Sequence, residues 1–119
     1  MGNKIHEESL GFSVDIIKFT KYLRNEKKEF VLANQLLKSG TSIGVNIAES
    51  QSAVSNKDFI QKLFLSLKEA RETSYWLDLL EDAHVVDSED LKELNLKLDY
   101  ITGMLVKIIN RCKQKPGFY

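Results

Sequence analysis

Residues 55–83 read SNKDFIQKLFLSLKEARETSYWLDLLEDA and contain neither glycine nor proline. Apolar side chains recur there at intervals of three and four, in two neighbouring lines that begin at Phe59 and Ile60. Ser55 precedes Asp58 by three residues, which is a weaker form of the capping box and marks the start of a helix. The stretch therefore predicts one uninterrupted helix over residues 56–83, about 42 Å long at 1.5 Å per residue.

The same spacing continues on both sides of this helix. It predicts helices over residues 9–26 and 30–50 upstream, and a helix over residues 88–113 downstream that stops before Pro116. One proline and six glycines are too few for the turns of a sandwich or a doubly wound sheet. A 119-residue chain with four helices and short connections predicts a single all-α domain over residues 1–119, folded as an antiparallel up-down-up-down four-helix bundle.

A stripe of small residues marks the second helix. Gly40, Gly44 and Ala48 follow one another at intervals of four. Each glycine costs about 1 kcal/mol relative to alanine inside a helix, so close approach of another helix is the expected reason. With a hairpin turn near residue 53, Gly44 would lie opposite Phe64 and Gly40 opposite Lys68, which predicts that the stripe faces the third helix.

Charge and cysteine content restrict the function classes. Seventeen Lys plus Arg balance seventeen Asp plus Glu, so the chain has no global field that would attract nucleic acid or an anionic membrane. The lone Cys112 excludes an internal disulfide and is expected to be a buried structural thiol. With neither a signal-peptide pattern nor an apolar run near ~18 residues, we expect a cytoplasmic protein without a membrane partner.

The sequence gives little support to enzyme chemistry. Glu81 and His84 match the Glu-x-x-His spacing of di-iron bundles, but such a site needs a second copy of the motif, and His6 lies outside the predicted bundle. An ordinary polar helix end is the favoured interpretation. The chain also lacks phosphate-binding glycine loops, a nucleophile elbow and Cys-x-x-Cys. We therefore predict no catalytic residue, no cofactor and no metal.

Two clusters of cations remain as candidate nucleic-acid contacts. They are Lys18, Lys21, Arg24, Lys27 and Lys28 near the end of the first helix, and Lys107, Arg111, Lys113 and Lys115 at the end of the fourth. In an up-down bundle the clusters would lie at opposite ends. Solvated helix faces with dipole complementation explain them in one interpretation, and phosphate contact in the other.

Four segments carry a family resemblance. SIGVNIAE at residues 42–49, followed by DFIQKL at 58–63, LKEARET at 67–73 and YWL at 75–77, resembles the four-helix bundle proteins called 23S ribosomal RNA intervening-sequence proteins, over about residues 10–112. The motif positions, which the resemblance implies are bundle or interface residues, are Ser42, Ile43, Gly44, Asn46, Ile47, Ala48, Glu49, Lys68, Glu69, Arg71, Glu72 and Trp76.

The resemblance implies a partner as well as a fold. Proteins of this kind assemble as ring-like homopentamers, which would cover the apolar surface that the third helix carries beyond the needs of one bundle. Some are encoded within ribosomal RNA genes, and a related retroelement accessory protein binds nucleic acid and assists a reverse transcriptase. From their positions on the second helix, two interpretations of Asn46 and Glu49 stay open. In one, Glu49 is part of a ligand or nucleic-acid site, and in the other, Asn46 and Glu49 form hydrogen bonds across the bundle or between subunits.

Two functional hypotheses follow from these observations. The first is a non-enzymatic oligomeric scaffold that binds RNA or an RNA-associated protein through its cationic ends. The second is a protein-interaction module without nucleic-acid binding.

Overall fold

Four long helices account for most of the chain. The computed structural model describes the backbone of residues 2–113 and the side chains of residues 4–113. The helices are α1 (Gly2–Asn25), α2 (Val31–Ser50), α3 (Asn56–Asp82) and α4 (Ser88–Lys113), and residues 2–113 contain no strand. The predicted all-α four-helix bundle is confirmed. Over the described range, none of these helices combines the length and the apolar character needed to cross a membrane.

The helices form a square arrangement. Each helix packs closely against two others, in the pairs α1–α2, α2–α3, α3–α4 and α1–α4, while within residues 2–113 the Cα atoms of the diagonal pairs stay more than 8 Å apart. The bundle is 50 Å long and 21 Å across. Lys4 of α1 lies near Lys107 and Arg111 of α4, as expected for antiparallel neighbours. The start of α1 and the end of α4 therefore meet at the same pole as the turn between α2 and α3.

The first helix begins earlier than the sequence predicts. It starts at Gly2 instead of Ser9, so His6 lies inside the bundle and not outside it. Ser9 does not cap the helix, since it is buried and its hydroxyl donates to the carbonyl of His6 at 3.0 Å. Ile5, which is 2% exposed, joins the core and holds this extra length against the rest of the bundle.

The turn before α3 has the predicted cap. The backbone N–H of Asp58 donates to the Ser55 hydroxyl at 3.0 Å, and the backbone N–H of Val54 donates to the Asp58 carboxylate at 3.2 Å. These bonds satisfy amide groups that a helix leaves unpaired at its start. The other two connections each place one residue in the left-handed region, Lys28 with φ 56° and His84 with φ 60°.

Hydroxyl groups link α2 to α3 inside the core. Ser66 donates to the carbonyl oxygen of Ile43 at 2.8 Å, and Thr73 donates to the hydroxyl of Ser39 at 2.9 Å. All four residues are buried. The short side chains of Ser39, Ser66 and Thr73 let the two helices approach closely, while the hydrogen bonds satisfy the polar atoms that this approach buries.

The glycine stripe faces α1, so the predicted contact with α3 is wrong. A Cβ at Gly40 would lie 2.9 Å from Cγ1 of Ile16, and a Cβ at Gly44 would lie 3.4 Å from the hydroxyl oxygens of Ser9 and Ser13. The predicted height along the bundle is nearly right. This part of α2 contacts Ser66, which is only two residues from the predicted Phe64. Distance from a hairpin turn determines height along the helix, but it does not determine which way a side chain points.

Candidate nucleic-acid interface

The motif residues of α2 lie on several of its faces, and Gly44 and Ala48 line the surface beside α1. Ile43 and Ile47 are fully buried in the core. Asn46 donates from Nδ2 to the carbonyl of Ser42 at 2.9 Å, so its hydrogen bond stays within α2 instead of crossing the bundle. Glu49 does cross to α3, where its carboxylate lies 3.3 Å from Nζ of Lys62. Glu49 and Lys62 therefore form an ion pair between the two helices at their exposed edge.

The motif residues of α3 form a polar edge beside α2. Glu72 accepts a hydrogen bond from Nε1 of Trp76 at 3.4 Å, one helical turn away. Burial raises the pKa of the Glu69 carboxyl, and the neighbouring charge of Glu72 adds to this, while Lys68 and Lys38 oppose it. Lys68 and Arg71 are exposed. These contacts lie along the α2–α3 edge. They order the side chains of that edge and do not build a concave site.

The Glu-x-x-His match does not form a metal site in this geometry. The helix α3 ends at Asp82, so Glu81 is on the helix and His84 is in the following turn. Residues 2–113 hold no group of three or more His, Cys, Asp or Glu side chains placed to bind a metal ion.

Cys112 lies at the rim of the bundle and not in its core. Its side chain is only partly buried, in contrast to the buried thiol that the sequence predicts. It lines a surface depression together with Phe59, Ile108 and Arg111. The last turn of α4 extends to the pole of the bundle, where the turn between α2 and α3 covers it incompletely.

The cations at the end of α1 have mixed surroundings, and one of them lies beside acidic residues. Lys18 lines the same surface depression as Asp15, Asp90 and Glu93. Arg24 donates to Oδ1 of Asn34 at 2.9 Å, and Nζ of Lys27 lies 5.9 Å from the ring centroid of Tyr22. Lys21 and Lys28 are exposed. The positive potential of this cluster is reduced because the acidic start of α4 lies beside it.

The cations at the end of α4 have a different environment. Residues 100–113 contain no Asp or Glu, and Lys107, Arg111 and Lys113 are exposed. Within the described side chains, Lys107 and Arg111 belong to no ion pair. Nζ of Lys113 lies 5.0 Å from the ring centroid of Phe64 on α3. Lys115 lies outside the described residues. This pole is therefore the more favourable place for a phosphate.

A cavity of about 560 Å³ opens beside these cations, between the start of α1 and the facing parts of α3 and α4. We call it the polar-end cavity, after its position at this pole of the bundle. Its apolar lining consists of Ile5, Phe59, Leu63, Tyr100, Met104 and Ile108. Sequence reasoning missed this cavity, although Tyr100, Met104 and Lys107 follow one another at intervals of four and three along α4.

A second apolar surface lies where the sequence does not predict one. On α3, where the sequence predicts surplus apolar surface, the exposed large side chains are Phe64 and Tyr75. A separate group of exposed aliphatic side chains lies on α1 and α2, at Leu10, Val14, Ile17 and Val45. Leu10, Ile17 and Val45 line a cavity of about 360 Å³ with Gly44 and Ala48 in its floor. We call this surface the α1–α2 groove. The spacing of four between Leu10 and Val14 could have indicated this surface from the sequence, since these side chains lie on the face of α1 away from the core.

Comparison with known proteins identifies related chains. Residues 2–107 match the family model described as 23S rRNA-intervening sequence protein. A crystal structure from Bacteroides thetaiotaomicron VPI-5482, described as a protein with unknown function from the S23 ribosomal protein family, superposes with a TM-score of 0.90 at 45% sequence identity. The alignment covers 92% of this chain and 97% of that one. No curated protein matches the chain. These matches confirm the resemblance carried by residues 42–49 and 58–77.

Proposed function

Because the chain belongs to the 23S rRNA-intervening sequence protein family, and its solved relative has no known function, we propose a function from its own surfaces. The chain is a non-enzymatic helical scaffold that assembles with copies of itself and binds RNA. The observation that carries the proposal is the acid-free end of α4, where Lys107 and Arg111 are exposed and unpaired among the described side chains.

The charge distribution supports RNA binding in spite of the neutral composition. Phosphate binding depends on cations that are free to displace counterions, and not on the net charge of the chain. The end of α1 is less suitable, since Lys18 lies beside Asp90 and Glu93. Repetition of one modest cationic site in every copy of an assembly increases overall affinity without any new contact within a copy. An assembly of five copies, the number implied by the family resemblance, would carry five such sites and bind RNA with higher overall affinity than a single copy.

The salt dependence of RNA affinity tests this proposal. The variant Lys107→Gln, Arg111→Gln, Lys113→Gln removes three exposed cations, and the slope of log affinity against log salt should become shallower by about 2, at ~0.7 per phosphate contact on a single strand. Fluorescence anisotropy of a labelled single-stranded RNA measures both slopes. Folding should be unaffected, because the three side chains are exposed.

A matched variant on α1 serves as the control. Lys18→Gln, Lys21→Gln, Lys27→Gln removes the same charge from the other pole, and we expect the RNA affinity to change much less. A slope near zero for the unmodified protein would contradict RNA binding. An equal loss in the two variants would contradict the assignment to the end of α4.

The second candidate function is a protein-interaction module that binds no nucleic acid. The α1–α2 groove favours it, because a contiguous exposed apolar surface is typical of protein–protein contacts. The two functions are separated by the same anisotropy experiment. A protein that assembles but has no salt-dependent RNA affinity would be assigned to this second class.

A further inference from the structure

The polar-end cavity combines an apolar floor with a cationic rim. Ile5, Leu63 and Met104 supply aliphatic surface, and Phe59 and Tyr100 supply two aromatic rings. The side chain of Tyr100 is at the mouth, with 49% of the residue exposed. A site that is mostly apolar with a few convergent polar groups is the usual form of a small-ligand pocket.

The charged residues of the lining all have the same sign. They are Lys4, Lys107 and Arg111, and the lining as described holds no Asp or Glu. Lys4 is partly compensated, since its Nζ lies 3.6 Å from the Glu8 carboxylate. Lys107 and Arg111 lie one turn apart on α4, about 6 Å along the helix axis. The cavity therefore suits a ligand that has a flat or apolar body and negative charge outside it.

We propose that the polar-end cavity binds one unpaired base of a single-stranded RNA, with the adjoining phosphates on Lys107 and Arg111. This inference rests on the proposed RNA binding and adds the form of RNA that is recognised. The base lies against Tyr100 at the mouth and Phe59 in the wall. Aromatic stacking of this kind tolerates any base, because every base has a π-face.

Two features favour a nucleotide chain over a fatty carboxylate. A carboxylate has a single charge at one end of the molecule, whereas the two cations of α4 are repeated along the rim of the cavity, as phosphates are repeated along a strand. The exposed ring of Tyr100 also favours a base over an alkyl chain, because a base can stack on the aromatic face. A base within a duplex is already stacked and paired, so it cannot enter the cavity.

The test compares single-stranded and duplex RNA of the same sequence. The variant Tyr100→Ala should weaken binding of a short single-stranded RNA by about 5-fold or more, the usual effect of removing one stacking ring. The affinity for a blunt duplex, which uses only the cations, should stay the same. Replacing one base of the single strand by 2-aminopurine gives a direct signal, because its fluorescence should be quenched on binding and the quenching should be lost in Tyr100→Ala.

Two further variants distinguish stacking from damage to the fold. Tyr100→Phe keeps the ring and should keep single-strand affinity and quenching. Tyr75→Ala removes an exposed ring from α3 outside the cavity, where Tyr75 is 60% exposed, and should change neither.

The outcomes separate this inference from the proposed function. If Tyr100→Ala binds single strands as the unmodified protein does, or loses single-strand and duplex affinity equally, the base pocket is wrong while RNA binding stands. If neither RNA binds, the proposed function fails and this inference fails with it. Binding of dodecanoate that depends on Tyr100 and is not displaced by single-stranded RNA would assign the cavity to an apolar anion and overturn the inference.

Discussion

Gly40 is the residue at which one added methyl group should have the largest effect. A Cβ there would lie 2.9 Å from Cγ1 and 3.0 Å from Cγ2 of Ile16, whose side chain is fully buried. Overpacking costs about 1–3 kcal/mol, and the helix propensity of alanine returns at most ~1 kcal/mol. We expect Gly40→Ala to lower the free energy of unfolding by about 1 kcal/mol or more, measured by urea denaturation.

Gly103 provides the matched control. It also lies inside a helix, but a Cβ there meets no atom within 4 Å. Gly103→Ala should therefore raise the free energy of unfolding by up to about 1 kcal/mol, through helix propensity alone. Equal stability of the two variants would contradict a close contact between α1 and α2 at Gly40.

At the scale of the element, α2 and α3 are held together by hydroxyl groups as well as by apolar side chains. Ser66 is fully buried and donates to the carbonyl of Ile43 at 2.8 Å. Ser66→Ala removes this bond, and the Ile43 carbonyl keeps its partner within α2. The expected loss is about 1 kcal/mol of unfolding free energy, the net contribution of an ordinary hydrogen bond.

Ser42→Ala is the comparison for this bond. The Ser42 hydroxyl donates to the carbonyl of Lys38 within its own helix at 2.7 Å, and this bond is exposed to solvent. Its loss should leave the stability nearly unchanged. If thermal unfolding shows the same midpoint for both variants, the interhelical bond does not contribute to the α2–α3 contact.

Local features of the elements could be predicted from the sequence, and spatial ones could not. The Ser55 cap and the start of α4 at Ser88 depend on neighbouring residues, so the spacing of side chains indicates them directly. The direction of Gly40 depends on where α1 packs, which no local pattern contains. The start of α1 was missed for a related reason, since Ile5 gains its apolar neighbours only when the bundle forms.

The same distinction between local and spatial features holds for the candidate sites. Both cation clusters could be found by composition, but their difference arises from the fold, which brings Asp90 and Glu93 beside Lys18 and leaves Lys107 and Arg111 apart from acids. The polar-end cavity and the α1–α2 groove each combine side chains from separate helices. Neither was predictable before the neighbours of each helix were known.

At the scale of the whole molecule, the two surfaces lie on different parts of the bundle. The α1–α2 groove lies along one edge of the square, whereas the polar-end cavity opens mainly between α3 and α4 at one pole. A contact confined to the groove would leave the α3 and α4 side of each cavity uncovered. The arrangement would connect the proposed self-assembly with the proposed RNA binding, because breaking the assembly would also remove the gain from repeated weak contacts.

The groove predicts which substitutions break the assembly. Leu10 and Val45 are 58% and 54% exposed, so Leu10→Lys with Val45→Lys should leave the fold of each copy intact while placing like charges in an apolar contact. Native mass spectrometry should show the mass of an oligomer for the unmodified protein and that of a single chain for the double variant. The double variant should also lose part of its RNA affinity through the loss of avidity.

Leu96→Lys is the control, since Leu96 is 62% exposed on α4 outside the groove, and its oligomer should persist. An oligomer that survives the double variant but dissociates with Leu96→Lys would move the interface to α4, and a single-chain mass for the unmodified protein would contradict self-assembly altogether.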